Sequence, residues 1–168
     1  MSNPYTYSKL NTEQLYETLE LVRNVFMEFE APDYSPEGIE EFLRFLDPVE
    51  ITNMLDDEKM QIWVCVHDWS DCNGGSCGSN ESEKKIVGMI AGNHNHINLL
   101  FVDGKHHRKG IARRLLEILI ENFNPTELTV NSSPFALEAY RRLGFKETAP
   151  EKIENGIRFT PMKWGIQK

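Results

Sequence analysis

Ile97-Asn98-Leu99-Leu100-Phe101-Val102, then His106-His107-Arg108-Lys109-Gly110-Ile111-Ala112 running into Arg113-Arg114-Leu115-Leu116, is the stretch on which the fold of this chain turns. The first run is apolar and short, and it reads as a strand. Ile111, Leu115, Leu116 and Leu119 then recur at helical spacing and give one apolar face. A second strand follows at Leu128 to Val130. After it comes Asn131-Ser132-Ser133-Pro134-Phe135-Ala136-Leu137-Glu138-Ala139-Tyr140-Arg141-Arg142-Leu143-Gly144-Phe145. Ser133 suits an N-cap, Pro134 the first helical position and Gly144 the helix end. The reading is strand, basic glycine turn, helix, strand, short helix.

The turn between the first strand and its helix has an unusual charge. Five Lys/Arg side chains and two histidines fall between residues 105 and 114, without an acidic residue, in a chain of net charge −8. A helix that starts at such a turn presents unpaired backbone N–H groups and the positive end of its dipole. Gly110 permits close backbone approach and Ala112 keeps the helix start thin. These features favour a bound anion, with a pyrophosphate the natural candidate. The motifs G-x-x-x-x-G-K-[ST] and G-x-G-x-x-G are both absent, which argues against a P-loop or the usual dinucleotide fold.

Outward from this unit, Tyr5 to Leu10 reads as an opening strand. Leu15, Leu19, Val22, Phe26 and Phe29 fall on one face of a helix that begins near Asn11 and is broken by Ala31 to Pro36. A second helix carries Ile39, Phe42, Leu43 and Leu46. Pro48 interrupts it, and Val49 to Leu55 adds a turn or two. Ile62 to Val66 and Lys85 to Asn93 read as strands, as do segments near Phe145 and from Ile157 to Trp164. Residues 69–85, rich in Gly, Ser and Asn, are expected to form an extended, mobile hairpin loop. The expected architecture is one domain over residues 1–168. It is α/β, with a mixed sheet of about six or seven strands and helices on both faces.

Composition narrows the functional classes. The chain has 168 residues, 40% of them apolar and 26% charged, as expected of a soluble globular protein. No apolar run approaches the ~20 residues that span a bilayer, and Met1 to Tyr5 lacks the features of a signal peptide. Three cysteines fit a reducing cytoplasm. The acidic charge disfavours nucleic acid as a partner and is compatible with an amine-bearing one. Cys72-x4-Cys77 with His67, and the histidines at 94, 96, 106 and 107, lack metal-site spacing, so no metal is expected. Cys65 lies in an apolar run and reads as core.

Taken together, the two halves of the 97–145 stretch resemble the GNAT superfamily of acyl-CoA N-acyltransferases. The family signature Gln/Arg-x-x-Gly-x-Gly/Ala is met here by His107-Arg108-Lys109-Gly110-Ile111-Ala112, with His107 in place of the usual first residue. The later segment resembles the family's cofactor-thiol region. The resemblance implies a splayed cofactor cleft with Leu100, Phe101 and Val102 along the pantetheine. It implies backbone contacts from His107, Arg108, Lys109, Gly110, Ile111, Ala112 and Arg113 to the pyrophosphate, and Asn131 and Ser133 on the opposite side. Tyr140 matches the family's general acid, which protonates the leaving thiolate. Acetyl-CoA is the implied co-substrate.

Transfer from a thioester to an alkyl amine needs a base, because the ammonium pKa is near ~10.4. His96 shares a strand face with Asn98 and is the first candidate. Glu28, Glu30 and Asp33, where the first two helices join, are further ones. A backbone N–H near Leu100 to Val102 is placed to polarise the carbonyl. The leading expectation is a cytoplasmic, acetyl-CoA-dependent N-acetyltransferase, monomer or homodimer, acting by direct attack of a small-molecule or peptide amine. A non-catalytic acyl-CoA-binding or sensing module is the alternative.

Overall fold

The computed structural model describes residues 3–69 and 84–165. β1 (Tyr5–Lys9) leads through a capping box at Asn11 and Gln14 into α1 (Leu15–Val25). The helix widens into a π turn over Phe26–Glu30, closed by the Ala31 N–H on the Phe26 carbonyl. α2 (Pro36–Phe45) and α3 (Pro48–Asp56) follow, each with proline at its start and a Ser or Asp cap. Pro48 therefore opens a full helix here, where the sequence suggested only a turn or two.

Then come β2 (Gln61–Asp68), β3 (Lys84–Gly92), β4 (His96–Val102), α4 (Ile111–Phe123), β5 (Glu127–Ser132), α5 (Leu137–Arg142), β6 (Lys146–Glu147), β7 (Lys152–Glu154) and β8 (Ile157–Gly165). The expected loop at 69–85 is shorter at its far end, because Lys84 and Lys85 already pair with Asp68 and His67. Residues 70–83 lie outside the described ones.

Among the described residues the sheet runs β1-β2-β3-β4-β5-β8-β6, with β7 paired to β8, one strand more than expected. The extra strand is β7: three exposed residues carry no burial pattern to read. All pairings are antiparallel except β4 with β5, the pair joined by α4. A parallel pair needs such a crossover. Each face of the sheet has its own core. α1, α2 and α3 pack on Ile62, Val64 and Met89, while α4 and α5 pack on Trp63, Cys65 and Ile90. Alternate residues of β2 thus face opposite cores, which is why its sequence is apolar without alternation.

Two backbone details shape the cleft. β4 and β5 pair only at His96↔Thr129 and Ile97↔Val130 and then diverge. Ala91 pairs with Leu99 and Gly92 with Ile97, so Asn98 is an extra residue in β4, and such a bulge bends a strand and re-aims its side chains. The second detail is a glycine contact. A Cβ on Gly38 of α2 would lie 2.1 Å from the Gly156 carbonyl oxygen, so only glycine lets the β7–β8 turn rest on α2.

Candidate active site at the splayed strands

Beyond Ile97, the β5-facing edge of β4 has no strand partner among the described residues, and the gap opens into two cavities of about 370 and 360 Å³. Glu30, Leu100, Phe101, Ala136 and Tyr140 line both, so these residues form the junction. The two cavities differ in charge. One has Arg108, Arg113 and Arg142 in its wall, with His106 and His107. The other has Glu30, Glu41 and Glu154 and, among the described residues, no lysine or arginine.

The basic cavity is built on the start of α4. Arg108 (φ 60°) and Gly110 (φ 80°) are both left-handed, which folds the turn back under the helix. The N–H groups of Ile111, Ala112 and Arg113 precede the first intrahelical acceptor, Gly110 O, which receives Arg114 N–H at 3.0 Å. A Cβ on Gly110 would meet nothing within 4 Å, so the space above that residue is open. The residues present fit a phosphate: unpaired N–H groups, a helix N-terminus and arginines converge there.

Several side chains differ from their expected places. His107 Nε2 is 2.8 Å from the Val102 carbonyl, and its ring tilts on Phe29, so both His107 and the Val102 oxygen are engaged within the protein. Lys109 is absent from the wall of this cavity. Arg113 donates to the Arg142 carbonyl at 3.1 Å and ties α4 to the end of α5. Arg114 points away and pairs with Glu117 and Glu121. Arg142, in contrast, joins the wall although no motif singled it out. Asn131 and Ser133 line the acidic cavity and are missing from the wall of the basic one. Ser133 caps a turn by accepting from Ala136 N–H at 3.2 Å, so α5 starts at Leu137, later than Pro134 suggested.

Tyr140 is 7% exposed and packs edge-on against Phe145 at 5.4 Å. Its helix is terminated by Gly144 (φ 98°), with Phe145 N–H on the Tyr140 carbonyl. Burial, reinforced by the charge of Glu30, raises the phenol well above its ordinary value, so it stays protonated at neutral pH. Burial also pushes the Glu30 carboxyl up to about 7. A hydrogen bond with Ser133 opposes that rise and nearby Asp33 adds to it.

Among the three acids at the α1–α2 junction, Glu30 lines the cavities, while Glu28 and Asp33 are exposed. The π turn ends at Glu30, a deviation that helical periodicity does not reveal. His96 lines the acidic cavity and is half-buried, with Nδ1 2.8 Å from Thr129 Oγ1 and a pKa lowered by burial. It stands on the paired part of β4, outside the junction. Among the described residues no group of three or more His, Cys, Asp or Glu could hold a metal ion. No helix among them is long and apolar enough to cross a membrane.

The geometry agrees with what the chain is similar to. The fold matches a GCN5-related N-acetyltransferase from Rhodopseudomonas palustris, with a TM-score of 0.71 at 17% identity over 99% of this chain and 98% of that one. It also matches the PaiA N-acetyltransferase of Thermoplasma acidophilum, whose crystal structure contains coenzyme A. The TM-score is 0.68 at 18% identity, over 98% and 99% of the two chains. An uncharacterized N-acetyltransferase of Escherichia coli (strain K12), YafP, is 37% identical over 103 residues, 61% of this chain and 57% of the relative's length. The chain thus matches little more than half of that relative. Residues 30–166 match the model of the acetyltransferase (GNAT) domain, a span that takes in the π-turn carboxylate and every residue lining the two cavities except Val25. The chain belongs to the GNAT acetyltransferase family.

Proposed function

We propose that this protein transfers an acetyl group from acetyl-CoA to a primary amine, with the basic cavity holding the donor and the acidic cavity the acceptor. The observation that carries this reading is the junction. A buried, protonated phenol and a carboxyl with a pKa near neutrality both face the place where the cavities meet. Two groups with separated proton affinities at one point suit acid and base roles.

In this reading the N–H groups of Ile111, Ala112 and Arg113, with the Arg108, Arg113 and Arg142 side chains, bind the pyrophosphate. Leu100 and Phe101 flank the pantetheine on the open edge of β4, where a backbone N–H polarises the thioester carbonyl. Glu30 accepts a proton from the amine. The amine nitrogen bonds to the carbonyl carbon, the C–S bond breaks, and Tyr140 gives its proton to the departing thiolate. The nitrogen sheds a second proton as it becomes an amide and returns it to the Tyr140 phenolate, so Tyr140 ends unchanged and the site resets when Glu30 releases the proton it took from the ammonium to solvent. His96, held by Thr129, is the second base candidate, further along the acceptor wall.

Tyr140→Phe tests this directly, because it keeps the ring in its place against Phe145 and removes only the donor. A positioned general acid contributes ~10²- to 10⁴-fold. We expect kcat to fall by that factor with acetyl-CoA affinity nearly unchanged. Turnover within about twofold of the parent, with chemistry rate-limiting, makes Tyr140 a packing residue alone. Tight acetyl-CoA binding with no thiol release on any amine favours the non-catalytic acyl-CoA sensor.

A further inference from the structure

We infer that the acceptor is a small molecule with two cationic centres: the amine that reacts beside Tyr140, and a second ammonium or guanidinium held near Glu41 and Glu154. The inference rests on reading the acidic cavity as the acceptor side. Its first support is the charge left over. The reacting amine must be neutral when it attacks, so it offsets no carboxylate beyond Glu30. Glu41 and Glu154 still face the same cavity, whose wall has no lysine or arginine among the described residues.

Glu41 is partly matched by Arg44 on its own helix, at 2.9 Å. Glu154 has no ion-pair partner among the described residues. The two acids come from separate segments. The Gly38–Gly156 contact seats the β7–β8 turn on α2 and so brings both carboxylates to one cavity.

A second, independent feature points to a ligand with N–H donors. Asn98, the bulged residue of β4, has a buried Oδ1 with no hydrogen-bond partner among the described residues, and the residue lines this cavity. A buried acceptor left unmatched is costly, so turning the Asn98 amide toward the donor of an occupant stabilises it. The wall also contains Tyr34, Phe42, Phe45 and Phe159, whose ring faces attract a desolvated cation. A volume of about 370 Å³ lies at the small end of ligand pockets, which suits a compact molecule better than a peptide segment.

The test uses the full chain saturated with CoA and three straight-chain probes of equal length: a diamine, a monoamine and an ω-amino acid. Calorimetry reads affinity, and thiol release with acetyl-CoA reads turnover. We expect the diamine to lead the monoamine by about tenfold, as one desolvated cation contact implies, with the ω-amino acid last. Glu41→Gln with Glu154→Gln should shrink that lead to about twofold and leave acetyl-CoA affinity unchanged. Glu154→Gln alone, on exposed β7, repeats the test without touching α2 and should shrink the lead in part. Equal binding of diamine and monoamine overturns the inference, and so does a short peptide amine that outcompetes the diamine. If the diamine binds best and the variants abolish its lead, but no thiol is ever released, acetyl transfer fails while the dication inference stands. If monoamine and diamine turn over equally, transfer stands and this inference falls.

Discussion

The two halves of the cleft share a wall and nearly equal volumes, yet one is lined by arginines and the other by glutamates. The basic half is built mainly from two runs of sequence, residues 100–113 and 135–143, with Val25 and Glu30 completing it. The acidic half draws on the end of α1, on α2, on β4 and on the β7–β8 hairpin. A polyanion is gripped by contiguous backbone at a helix start, which a motif can encode. The acidic side is built by tertiary packing, where each carboxylate looks like surface charge until the chain folds. In the proposed reading one half recognises by backbone and charge together, the other by side chains alone.

The sharpest way to break this contrast is to reverse the sign of the basic half. Gly110→Glu introduces a negative side chain into open space at the start of α4, on a residue whose φ of 80° an L side chain tolerates poorly. We expect acetyl-CoA binding by calorimetry to be abolished. Gly110→Asn separates the two effects, because Asn tolerates the left-handed region without the charge. It should bind acetyl-CoA within several-fold of the parent. Normal binding by a folded Gly110→Glu protein places the donor elsewhere.

The junction offers the next effect. As a base with a carboxyl pKa of about 7, Glu30 must be ionised to act, so kcat should rise with pH through that region. Glu30→Gln should lower kcat by ~10²-fold or more and remove that limb, whereas His96→Gln should leave it in place. The reverse outcome assigns the base to His96. Stability gives an independent check. A carboxyl whose folded pKa is raised favours the folded state below its unfolded pKa, and this contribution is lost as pH rises through about 7. Glu30→Gln should therefore melt higher than the parent at pH 8, with the difference closing as pH falls toward 4.

What the sequence disclosed follows the same division. The strand–turn–helix–strand unit was legible because Ile111, Leu115, Leu116 and Leu119 bury one face of α4, and all four are buried. Tyr140 was legible because Gly144 fixes where its helix stops. Glu30 was only one of several acids, because the π turn that brings it to the junction leaves no mark in hydrophobic spacing. β7 was invisible because exposed strand residues need no apolar alternation. The acidic wall depends on Gly38 meeting Gly156, residues 118 positions apart in the chain, and no local rule connects them. The sequence also crowded more cations onto the phosphate turn than the cavity uses, since proximity in sequence ignores which way a helix face points.

That last distinction yields the smallest effect and the finest test of the contrast. Arg114 belongs to the basic run, yet it faces away from the cavity and is held by Glu117 and Glu121 at 3.3 and 2.9 Å. Arg142 lies outside the run, yet it lines the basic cavity from the end of α5, where Arg113 grips its carbonyl. Its ion pair with Glu138 is long, at 3.7 Å and with both side chains well exposed, so it competes weakly for the guanidinium. If folded position governs, Arg142→Ala should weaken acetyl-CoA binding by about three- to tenfold, as loss of one partly exposed charge-assisted contact implies. Arg114→Ala should stay within about twofold. Raising the salt concentration should narrow the gap between parent and Arg142→Ala, because screening acts on the contact that the parent alone retains. If instead Arg114→Ala weakens binding more, the basic half works through the net charge of the turn, and the arginine from α5 is incidental to it.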